Sequence, residues 1–242
     1  MTEEIIFPIR INRYLALRGL VTRRAADDLI ARGLVLINGQ RAELGDRVAS
    51  AETRVEVLKD KKTASKKFTY VAYCKPRGVI THSPQGEESS IGDISGFAGL
   101  FPLGRLDKAS EGLILLTDDG RVTERLLHPR YAHEKEYLVT VREKILPSVK
   151  MIFEAGIEND DERLTAKRVQ ILGPHTLSIV LTEGKKHQIR RMLDAVHLTV
   201  EKLVRTRIMG VHLGALKSGQ SRLLKGSARA SFLKSIGLEE SL

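Results

Sequence analysis

The chain has 242 residues and a formal net charge of +10, with a pI of about 9.8. Hydrophobic residues make up 42% of it, which is enough for a core. No apolar run approaches the ~18 residues that a membrane-spanning helix needs, and this argues against a membrane protein. The excess of positive charge favours a polyanionic partner, with nucleic acid as the leading candidate and ordinary solubility charge as the alternative.

The first residues, MTEEIIFPIR, carry acids where a signal peptide needs positive charge. We therefore expect a cytoplasmic protein. Cys74 is the only cysteine, which makes a disulfide within the chain impossible. In YVAYCKP it has the surroundings of a small buried apolar residue. Because no His or Asn arrangement nearby points to it, we do not expect it to be a nucleophile.

Residues 9 to about 57 form a first block with signals for both helices and strands. Apolar residues near helical spacing begin the block, and Gly19 can end that helix. Thr22 can cap a second helix. LVLING then indicates a short strand, Asn38-Gly39 predicts a two-residue turn, and TRVEVL alternates as a strand does.

Arginine is concentrated in this block, because residues 9–50 hold eight arginines, four acids and no lysine. The arginines are Arg10, Arg13, Arg18, Arg23, Arg24, Arg32, Arg41 and Arg47. The planar guanidinium group binds phosphate bidentately and stacks on bases. Arg23 and Arg24 stand at a helix start, where free backbone N–H groups also favour anions. The pattern indicates a phosphate-binding surface, with a solvated helix face as the alternative.

The segment INRYLALRGLVTRRAADDLIARGLVLINGQRAELGDRV resembles an S4 domain, the small RNA-binding module named after a ribosomal protein. Helix, Arg-Arg helix, strand, Asn-Gly turn and strand follow one another as in that family. The resemblance implies that the basic helix pair contacts structured RNA. It implies Arg10, Arg13, Arg23 and Arg24 as the contact residues.

A charged segment, KDKKTASKK at residues 59–67, separates this block from the rest of the chain. It has six charges and no large apolar side chain, a composition typical of a linker. We therefore predict a small N-terminal domain at residues 1–58 and a larger domain at residues 68–242.

The larger block mixes helix and strand signals. FTYVAYC, GLILLT, KEYLVTV, RVQILG and TLSIVLT are rich in β-branched and aromatic residues, which indicates strands. TERLLH, SVKMIFEAG and HQIRRMLDAVH have the pattern of helices. Their order is too irregular for a doubly wound parallel sheet. We predict an α+β domain built on a largely antiparallel mixed sheet.

Motifs for cofactors are missing from the sequence. None of the seven histidines forms His-Glu-x-x-His, and a single cysteine cannot supply a metal-binding pair. There is no Gly-rich phosphate loop and no Gly-x-Ser-x-Gly nucleophile elbow. We expect no metal and no other cofactor.

The stretch PLGRLDKASEGLILLTDDG places Arg105 and Asp107 directly before an apolar strand. On local sequence the carboxylate of Asp107 can shape a turn by accepting backbone N–H bonds, or it can perform chemistry. Arg190 lies in the first turn of a predicted helix that begins near His187, where the helix dipole disfavours a cation. A cation in such a place needs a partner, and an aspartate is the obvious one.

These segments, together with CKPRGVIT and HEKEYLVTV, resemble the bacterial ribosomal-RNA pseudouridine synthases that carry an S4 domain. GRLD, the Lys-x-Tyr strand and HQIRRM stand in the order and spacing of that family, over essentially the full chain. HEKEYLVTV and VRTRIMGVHLG are most similar to the large-subunit type F enzymes. The family converts a uridine in RNA to its C-glycoside isomer, a reaction that needs no external group donor.

The resemblance implies roles for residues of the larger block. Asp107 matches the catalytic aspartate, Tyr137 the tyrosine that stacks on the target base, and Arg190 the basic residue paired with the aspartate. Leu181 matches the apolar residue that lines the pocket. Arg105 either holds the loop or touches phosphate.

The chemistry of the reaction fits these residue types. A base inside a stem cannot be detached and turned over, so the nucleotide must be flipped into a pocket. An aromatic ring such as that of Tyr137 can stack on the flipped uracil. A carboxylate can act as a nucleophile or as a base. Whether Asp107 attacks the sugar, attacks the base or removes a sugar proton stays open.

Two other functions compete with this one. A non-catalytic RNA-binding or ribosome-assembly factor would bind RNA without changing its nucleosides. A hydrolase would use two carboxylates, with Asp118 and Asp119 as candidates, but adjacent strand residues point to opposite faces. The RNA could also be small-subunit ribosomal RNA or a tRNA. We expect a monomer that acts on RNA and has no contact with a membrane.

Overall fold

A computed structural model of the chain describes residues 6–18, 21, 23–58, 68–81, 89–127 and 131–238. The predicted linker at residues 59–67 lies outside the described residues, as do Gly19 and Thr22. The contacts between Cα atoms divide the described chain into two units. The first unit holds the residues up to Phe68 together with Asp119–Glu124, and the second holds Thr69–Asp118 and the residues from Arg125 onward.

The first unit is built of two short helices and short antiparallel strands. In chain order they are β1 (Ile9–Arg10), α1 (Ile11–Leu17), α2 (Arg23–Ala31), β2 (Val35–Ile37), β3 (Gln40–Arg41), β4 (Arg47–Val48) and β5 (Val55–Val57). Strand β2 pairs with β3 and β5, and β1 pairs with β4. The turn between β2 and β3 has positive φ angles at Asn38 and Gly39, as the Asn-Gly pair predicts.

Helix α1 follows directly from β1, and both helices bury one apolar face. Ile11 and Leu15, four residues apart, are the most buried residues of α1. Ala26 and Ile30, which are buried in α2, have the same spacing, which places each pair on one face of its helix. They meet Val35 of β2 in one small core.

In the part of the chain that the structure describes, eleven further strands and five helices follow. They are β6 (Tyr70–Lys75), α3 (Ile91–Ile94), β7 (Phe101–Leu103), β8 (Glu111–Thr117), α4 (Arg121–Leu127), β9 (Lys135–Val141), α5 (Ser148–Ala155), β10 (Ile157–Asn159), β11 (Glu162–Leu164), β12 (Arg168–Gly173), β13 (Thr176–Leu181), α6 (Gln188–Asp194), β14 (Val200–Ile208), β15 (Val211–His212), β16 (Ser221–Leu223) and α7 (Gly226–Ser235). Residues 121–124 of α4 belong to the first unit and its last three residues to the second.

One sheet of nine strands organises this unit. Its main path runs β12-β13-β9-β14-β8-β6-β16, with β15 beside β14 and β7 beside β8. Every described pairing in it is antiparallel except the one between β14 and β8. The largely antiparallel mixed sheet confirms the predicted α+β class.

Helices α5 and α6 cover part of one face of the sheet. Val149 and Phe153 of α5 and Met192 of α6 are almost fully buried against Val139 of β9 and Leu177 of β13. Burying side chains of this size stabilises the fold by about 1.5–3 kcal/mol each. This packing stabilises the sheet, and the loops that follow its strands are therefore attached to a rigid element.

Candidate active site

One cavity in the second unit brings together five residues that the sequence singles out. It has a volume of about 320 Å³ and is lined by Arg105, Asp107, Tyr137, Leu181 and Arg190, among others. The first two come from the loop between β7 and β8, and the rest come from β9, β13 and α6. Residues far apart in the sequence therefore converge on one place.

Asp107 presents its carboxylate to this cavity. Its side chain is 39% exposed, and Nε2 of the His187 imidazole lies 3.7 Å from its Oδ1. Gly104, the first residue of GRLD, has a φ of +77° and starts the turn that carries the aspartate. A Cβ at Gly104 would also lie 2.9 Å from Cδ2 of Leu127, so glycine meets two requirements there.

The backbone of the loop is fixed along its whole length. Six consecutive carbonyl oxygens, those of residues 105–110, each accept a hydrogen bond. The donors, in order, are Arg205 Nη1 (3.2 Å), Thr81 Oγ1 (2.7 Å), Ser110 N (3.0 Å), Gly78 N (2.7 Å), Arg190 Nη2 (3.1 Å) and Lys75 Nζ (2.8 Å). Three of these six donors are cationic side chains, which form the stronger class of hydrogen bond. The loop is therefore positioned before any substrate binds.

Lys75 anchors the end of this loop. Its side chain is fully buried, and Nζ donates to the carbonyl oxygens of Pro76, Val79 and Ser110 at 2.6 to 2.9 Å. Burial lowers the pKa of Lys75 to about 8, with the charge of Asp107 acting in the opposite direction. Three carbonyl acceptors use all three donors of an ammonium group.

Arg205 of β14 supports the loop from the other side. Its side chain is buried, and its Nε also donates to the carbonyl oxygen of Leu113 at 2.7 Å. Gly112 of β8 pairs with Arg205 in the parallel register and has a φ of +105°. A Cβ there would lie 2.5 Å from the carbonyl oxygen of Arg205, so only glycine allows this approach.

Arg190 lies in the first turn of α6, as the sequence predicts, but it contacts the loop rather than the carboxylate. Its Nη2 donates to the carbonyl oxygen of Ala109, and among the described residues no direct ion pair joins it to Asp107. Its Nε is buried and has no hydrogen-bond partner within the described parts of the chain. Burial lowers the pKa of Arg190, and the nearby charge of Asp107 opposes that shift.

Tyr137 and Leu181 form the apolar wall. Both are buried, at 8% and 2% exposure, and both line the cavity. They come from the neighbouring strands β9 and β13, where Leu181 pairs with Lys135 and Ile179 pairs with Tyr137. An aromatic ring beside an aliphatic side chain can hold a flat heterocyclic base by stacking and apolar contact.

The mouth of the cavity is basic. Lys186 and His187 are exposed there, and Lys185 lies beside them. The Nζ of Lys185 donates to the carbonyl oxygen of Arg163, which fixes its position. This concentration of positive charge attracts a polyanion.

The first unit offers a second basic surface. The side chains of Arg10, Arg13 and Arg23 are exposed, and no ion pair involves them among the residues that the structure describes. Arg24 lies in α2 as predicted. Arg18 is placed over the ring of Tyr14 at 5.3 Å, so part of the arginine set is used within the unit.

Asp118 and Asp119, the carboxylate pair of the hydrolase alternative, have structural partners. Asp118 Oδ1 accepts a hydrogen bond from the backbone N–H of Thr69 at 2.8 Å. Asp119 is fully buried and forms an ion pair with Arg121 at 2.9 Å. In the described parts of the chain, no group of three or more His, Cys, Asp or Glu residues is arranged to hold a metal ion. No described helix is long and apolar enough to cross a membrane.

Several residues of the site were not predicted from the sequence. Lys75 and Thr81 belong to CKPRGVIT, a segment that resembles the pseudouridine synthase family but whose pattern predicts no role for either residue. Arg205 is in a strand that was not predicted. A lysine directly after the apolar run YVAYC was the available signal for Lys75, because a charge next to a buried strand needs partners.

Comparison with protein families gives two matches along the chain. A family described as RNA pseudouridylate synthase matches residues 69–195. A family described as S4 domain matches residues 9–54. The first match includes Asp107, Tyr137 and Arg190, and the second includes the arginine-rich helices.

Individual relatives are similar over most of the chain. A dual-specificity RNA pseudouridine synthase RluF of Escherichia coli is 36% identical over 216 residues, which cover 88% of this chain and 74% of the relative. An uncharacterised RNA pseudouridine synthase of Mycobacterium leprae is 35% identical over 241 residues, or 95% of this chain and 94% of the relative. A solved pseudouridylate synthase superposes with a TM-score of 0.68 at 27% identity, covering 94% of this chain and 99% of that one.

Proposed function

Since the chain belongs to the RNA pseudouridylate synthase family and is an RNA pseudouridine synthase, we propose that it acts on ribosomal RNA and that Asp107 carries the reaction. The large-subunit RNA is the first substrate to test, because HEKEYLVTV and VRTRIMGVHLG are most similar to the large-subunit type F enzymes. The isomerisation breaks the bond from C1′ of the ribose to N1 of uracil and forms one from C1′ to C5. The proton on C5 is lost and N1 gains one.

One observation carries the role of Asp107. Its carboxylate reaches a cavity with an aromatic and an aliphatic wall, from a loop in which six successive carbonyl oxygens are hydrogen bonded. A reacting group needs a fixed position so that little reorganisation occurs in the transition state. The loop supplies that rigidity.

The other cavity residues then have roles that follow from their chemistry. The target uridine is flipped out of its stem, and its base stacks on Tyr137 against Leu181. Arg190 supplies positive charge near Asp107, and Nε2 of His187 lies 3.7 Å from the carboxylate. The carboxylate acts either as a nucleophile or as a base on the sugar. Arg105, at the edge of the cavity, contacts the RNA or holds the loop through its carbonyl oxygen.

Substrate binding is divided between two domains in this proposal. Residues 1–58 form the RNA-binding domain and contact structured RNA through Arg10, Arg13, Arg23 and Arg24. Residues 68–242 form the catalytic domain. The protein acts as a monomer in the cytoplasm, and RNA is its partner.

Exchange of one oxygen of Asp107 for nitrogen tests the proposal. Asp107→Asn keeps the size of the side chain and removes its charge, so pseudouridine formation should fall by at least about 10²–10⁴-fold. RNA affinity should stay within about twofold, because the carboxylate carries no favourable charge for RNA. The measurement is pseudouridine formed in ribosomal RNA from cells that lack the gene, together with a binding titration.

Asp161→Asn is the matched control. It makes the same chemical change at an exposed position in the turn between β10 and β11, where φ is +58° and asparagine is well tolerated. Normal turnover by Asp107→Asn would show that the reacting group is elsewhere. Tight RNA binding by the unaltered protein with no pseudouridine in any RNA would instead support the non-catalytic RNA-binding function.

A further inference from the structure

A second cavity lies beside the first in the same unit. It has a volume of about 340 Å³, and Arg105, Tyr137 and Gly184 line both cavities. We call it the flanking cavity, and Lys135 and Arg205 line it but not the first cavity. It is thus next to the place where the base is expected to lie.

Lys135 is a cation in this cavity with little to neutralise it. On β9 it is two residues from Tyr137, so both side chains point to the same face of the sheet. Its neighbours across the strands are the apolar residues Leu181 and Ile208. Among the described residues, its Nζ makes one hydrogen bond, a long one of 3.4 Å to the carbonyl oxygen of His133, and no carboxylate contacts it.

The electrostatics of Lys135 agree with this geometry. Burial, together with the smaller effect of the positive charge of Arg205, lowers the pKa of Lys135 to about 8. Two cations held close together in a partly buried space repel each other unless an anion joins them. The pair is therefore preorganised for a ligand of negative charge.

Arg205 contributes an unused donor. Arg205 is 3% exposed, and its Nε and Nη1 donate hydrogen bonds to the carbonyl oxygens of Leu113 and Arg105. Its Nη2 is buried and has no hydrogen-bond partner in the described parts of the chain. A buried N–H donor without a partner destabilises the protein, and a ligand oxygen would supply the missing acceptor.

The acidic residue at this cavity does not neutralise the cations. Glu183 also lines it, but its Oε1 accepts from Nε2 of Gln188 at 2.7 Å and its Oε2 lies 3.8 Å from Lys185. His133 uses Nε2 to contact the carbonyl oxygen of Arg125, and burial lowers its pKa. The free hydrogen-bonding capacity is therefore that of Lys135 and Arg205.

We propose that the flanking cavity binds a backbone phosphate of the RNA adjoining the target uridine, with Lys135 and Arg205 as its ligands. The inference rests on the proposed function, because only a base placed against Tyr137 brings its own phosphates to this cavity. An ammonium group and a guanidinium N–H donor together match a non-bridging phosphate oxygen pair. The contact would hold the flipped nucleotide by its backbone while the base is detached and turned.

The test removes the charge of one phosphate at a time. The RNA is an oligonucleotide in which the unaltered protein forms pseudouridine, and it carries one neutral methylphosphonate on the 5′ or the 3′ side of that uridine. At one of the two positions the unaltered protein should lose about tenfold in affinity, as expected for a charged contact of about 1.4 kcal/mol. With normal RNA, Lys135→Met should bind about tenfold more weakly than the unaltered protein. Replacing the phosphate by a methylphosphonate should then weaken the binding of Lys135→Met by less than a further twofold.

Two control variants accompany this test. Lys135→Arg keeps the charge and should keep most of the sensitivity to the modified phosphate. Lys150→Met makes the matched change at an exposed position of α5 and should behave like the unaltered protein. The proposal would be overturned if the methylphosphonate weakened RNA binding equally in the unaltered protein and in Lys135→Met. It would also be overturned if neither methylphosphonate weakened binding by the unaltered protein.

A second measurement does not depend on turnover. In protein with ¹³C-methylated lysines, the Lys135 resonance should titrate near pH 8, and inorganic phosphate should raise that midpoint by neutralising the site. Saturating unmodified RNA should abolish the effect of inorganic phosphate. An effect that survives RNA would assign the site to free phosphate instead. No effect of phosphate, in a protein that still forms pseudouridine, would overturn the site while leaving the proposed function intact.

Discussion

The first unit carries arginines on its surface, whereas the second unit buries several basic side chains beneath and beside the loop of Asp107. Arg10, Arg13 and Arg23 are exposed and form no described ion pair. In contrast, Lys75 and Arg205 are almost completely buried, and both donate to backbone carbonyl oxygens. Positive charge in the first unit is therefore available to attract a polyanion, whereas in the second unit it positions the loop that carries Asp107.

This difference has physical consequences. An exposed arginine contributes to binding through long-range attraction, which salt screens within about 10 Å at 0.1 M. A buried cation that donates to carbonyl oxygens is screened far less, and its loss leaves acceptors without partners. Changes in the first unit should therefore alter affinity and its salt dependence, and changes in the second should alter the chemical step.

A substitution in the cavity itself should slow the chemical step most. Arg190→Met removes the donor to the carbonyl oxygen of Ala109 and a charge near Asp107, so single-turnover rates should fall by about 10²-fold or more. Little change in the salt dependence of binding is expected. Arg191→Met, at the next position of α6, is the control. It removes an ion pair with Glu162 of β11 and hydrogen bonds to Asn159, but Arg191 does not line the cavity, so most activity should remain. A wild-type rate in Arg190→Met would place the reaction outside this cavity.

Tyr137 tests the aromatic wall. Tyr137→Ala should lose about 1–3 kcal/mol of base stacking, which corresponds to roughly 5- to 150-fold. Tyr137→Phe keeps the ring and should retain at least part of the activity. The measurement is the single-turnover rate at saturating RNA. Equal losses in Tyr137→Phe and Tyr137→Ala would mean that the hydroxyl group matters and the ring does not.

Deletion of residues 1–58 separates the two uses of charge. The remaining chain should fold, because the cavity and the nine-stranded sheet lie beyond the cut. RNA affinity should fall, and the slope of log affinity against log salt should decrease by roughly 2–4 units if about three to four phosphate contacts are lost. The rate at saturating RNA should change little. An unchanged slope with a collapsed rate would show that the first domain builds the active site.

Single arginines should produce a smaller version of the same effect. Arg13→Gln or Arg23→Gln should reduce the salt slope by roughly 0.7–0.9 units each. Arg54→Gln is the control, because Arg54 is exposed in the same unit but already forms an ion pair with Glu56 at 2.9 Å. A decrease of equal size in all three variants would mean that net charge matters and specific contacts do not.

Much of the fold could be predicted from the sequence where one residue pattern dominates. KEYLVTV and RVQILG coincide with β9 and β12, and SVKMIFEAG contains α5. These segments alternate or repeat at a single period, because only one of their faces is buried. Asp107, Tyr137, Leu181 and Arg190 could also be placed together, since the motifs resemble a known family.

The central strand β14 could not be predicted. VEKLVRTRI has four charged residues in nine, which is unusual for a strand between two others. Arg205 is tolerated there because its guanidinium group donates to the carbonyl oxygens of Leu113 and Arg105. Those acceptors come from distant parts of the chain, and a local pattern holds no information about them. The same reason explains why Arg190 was expected to pair with Asp107 and instead contacts Ala109.

Lys135 differs from Lys75 and Arg205, because among the described residues its side chain has no carbonyl or carboxylate partner at short distance. In the unfolded chain its pKa is that of an ordinary lysine, about 10.4, and in the folded chain it is about 8. Between these values the unfolded chain binds more protons, so the stability of the unaltered protein rises as pH increases through this window. Below pH 8 the buried charge destabilises the fold.

Lys135→Met should therefore be slightly more stable than the unaltered protein at pH 7, by about 1 kcal/mol or a rise of about 2–4 °C in Tm. The difference should shrink as pH rises from about 8 to about 10 because the unaltered lysine then loses its proton. Thermal unfolding at several pH values measures this, with Lys150→Met as the exposed control. A variant that is more stable but binds RNA less tightly would show that this cation is retained for its ligand and not for the fold. A loss of stability at pH 7 would mean that Lys135 supports the fold, as Lys75 does.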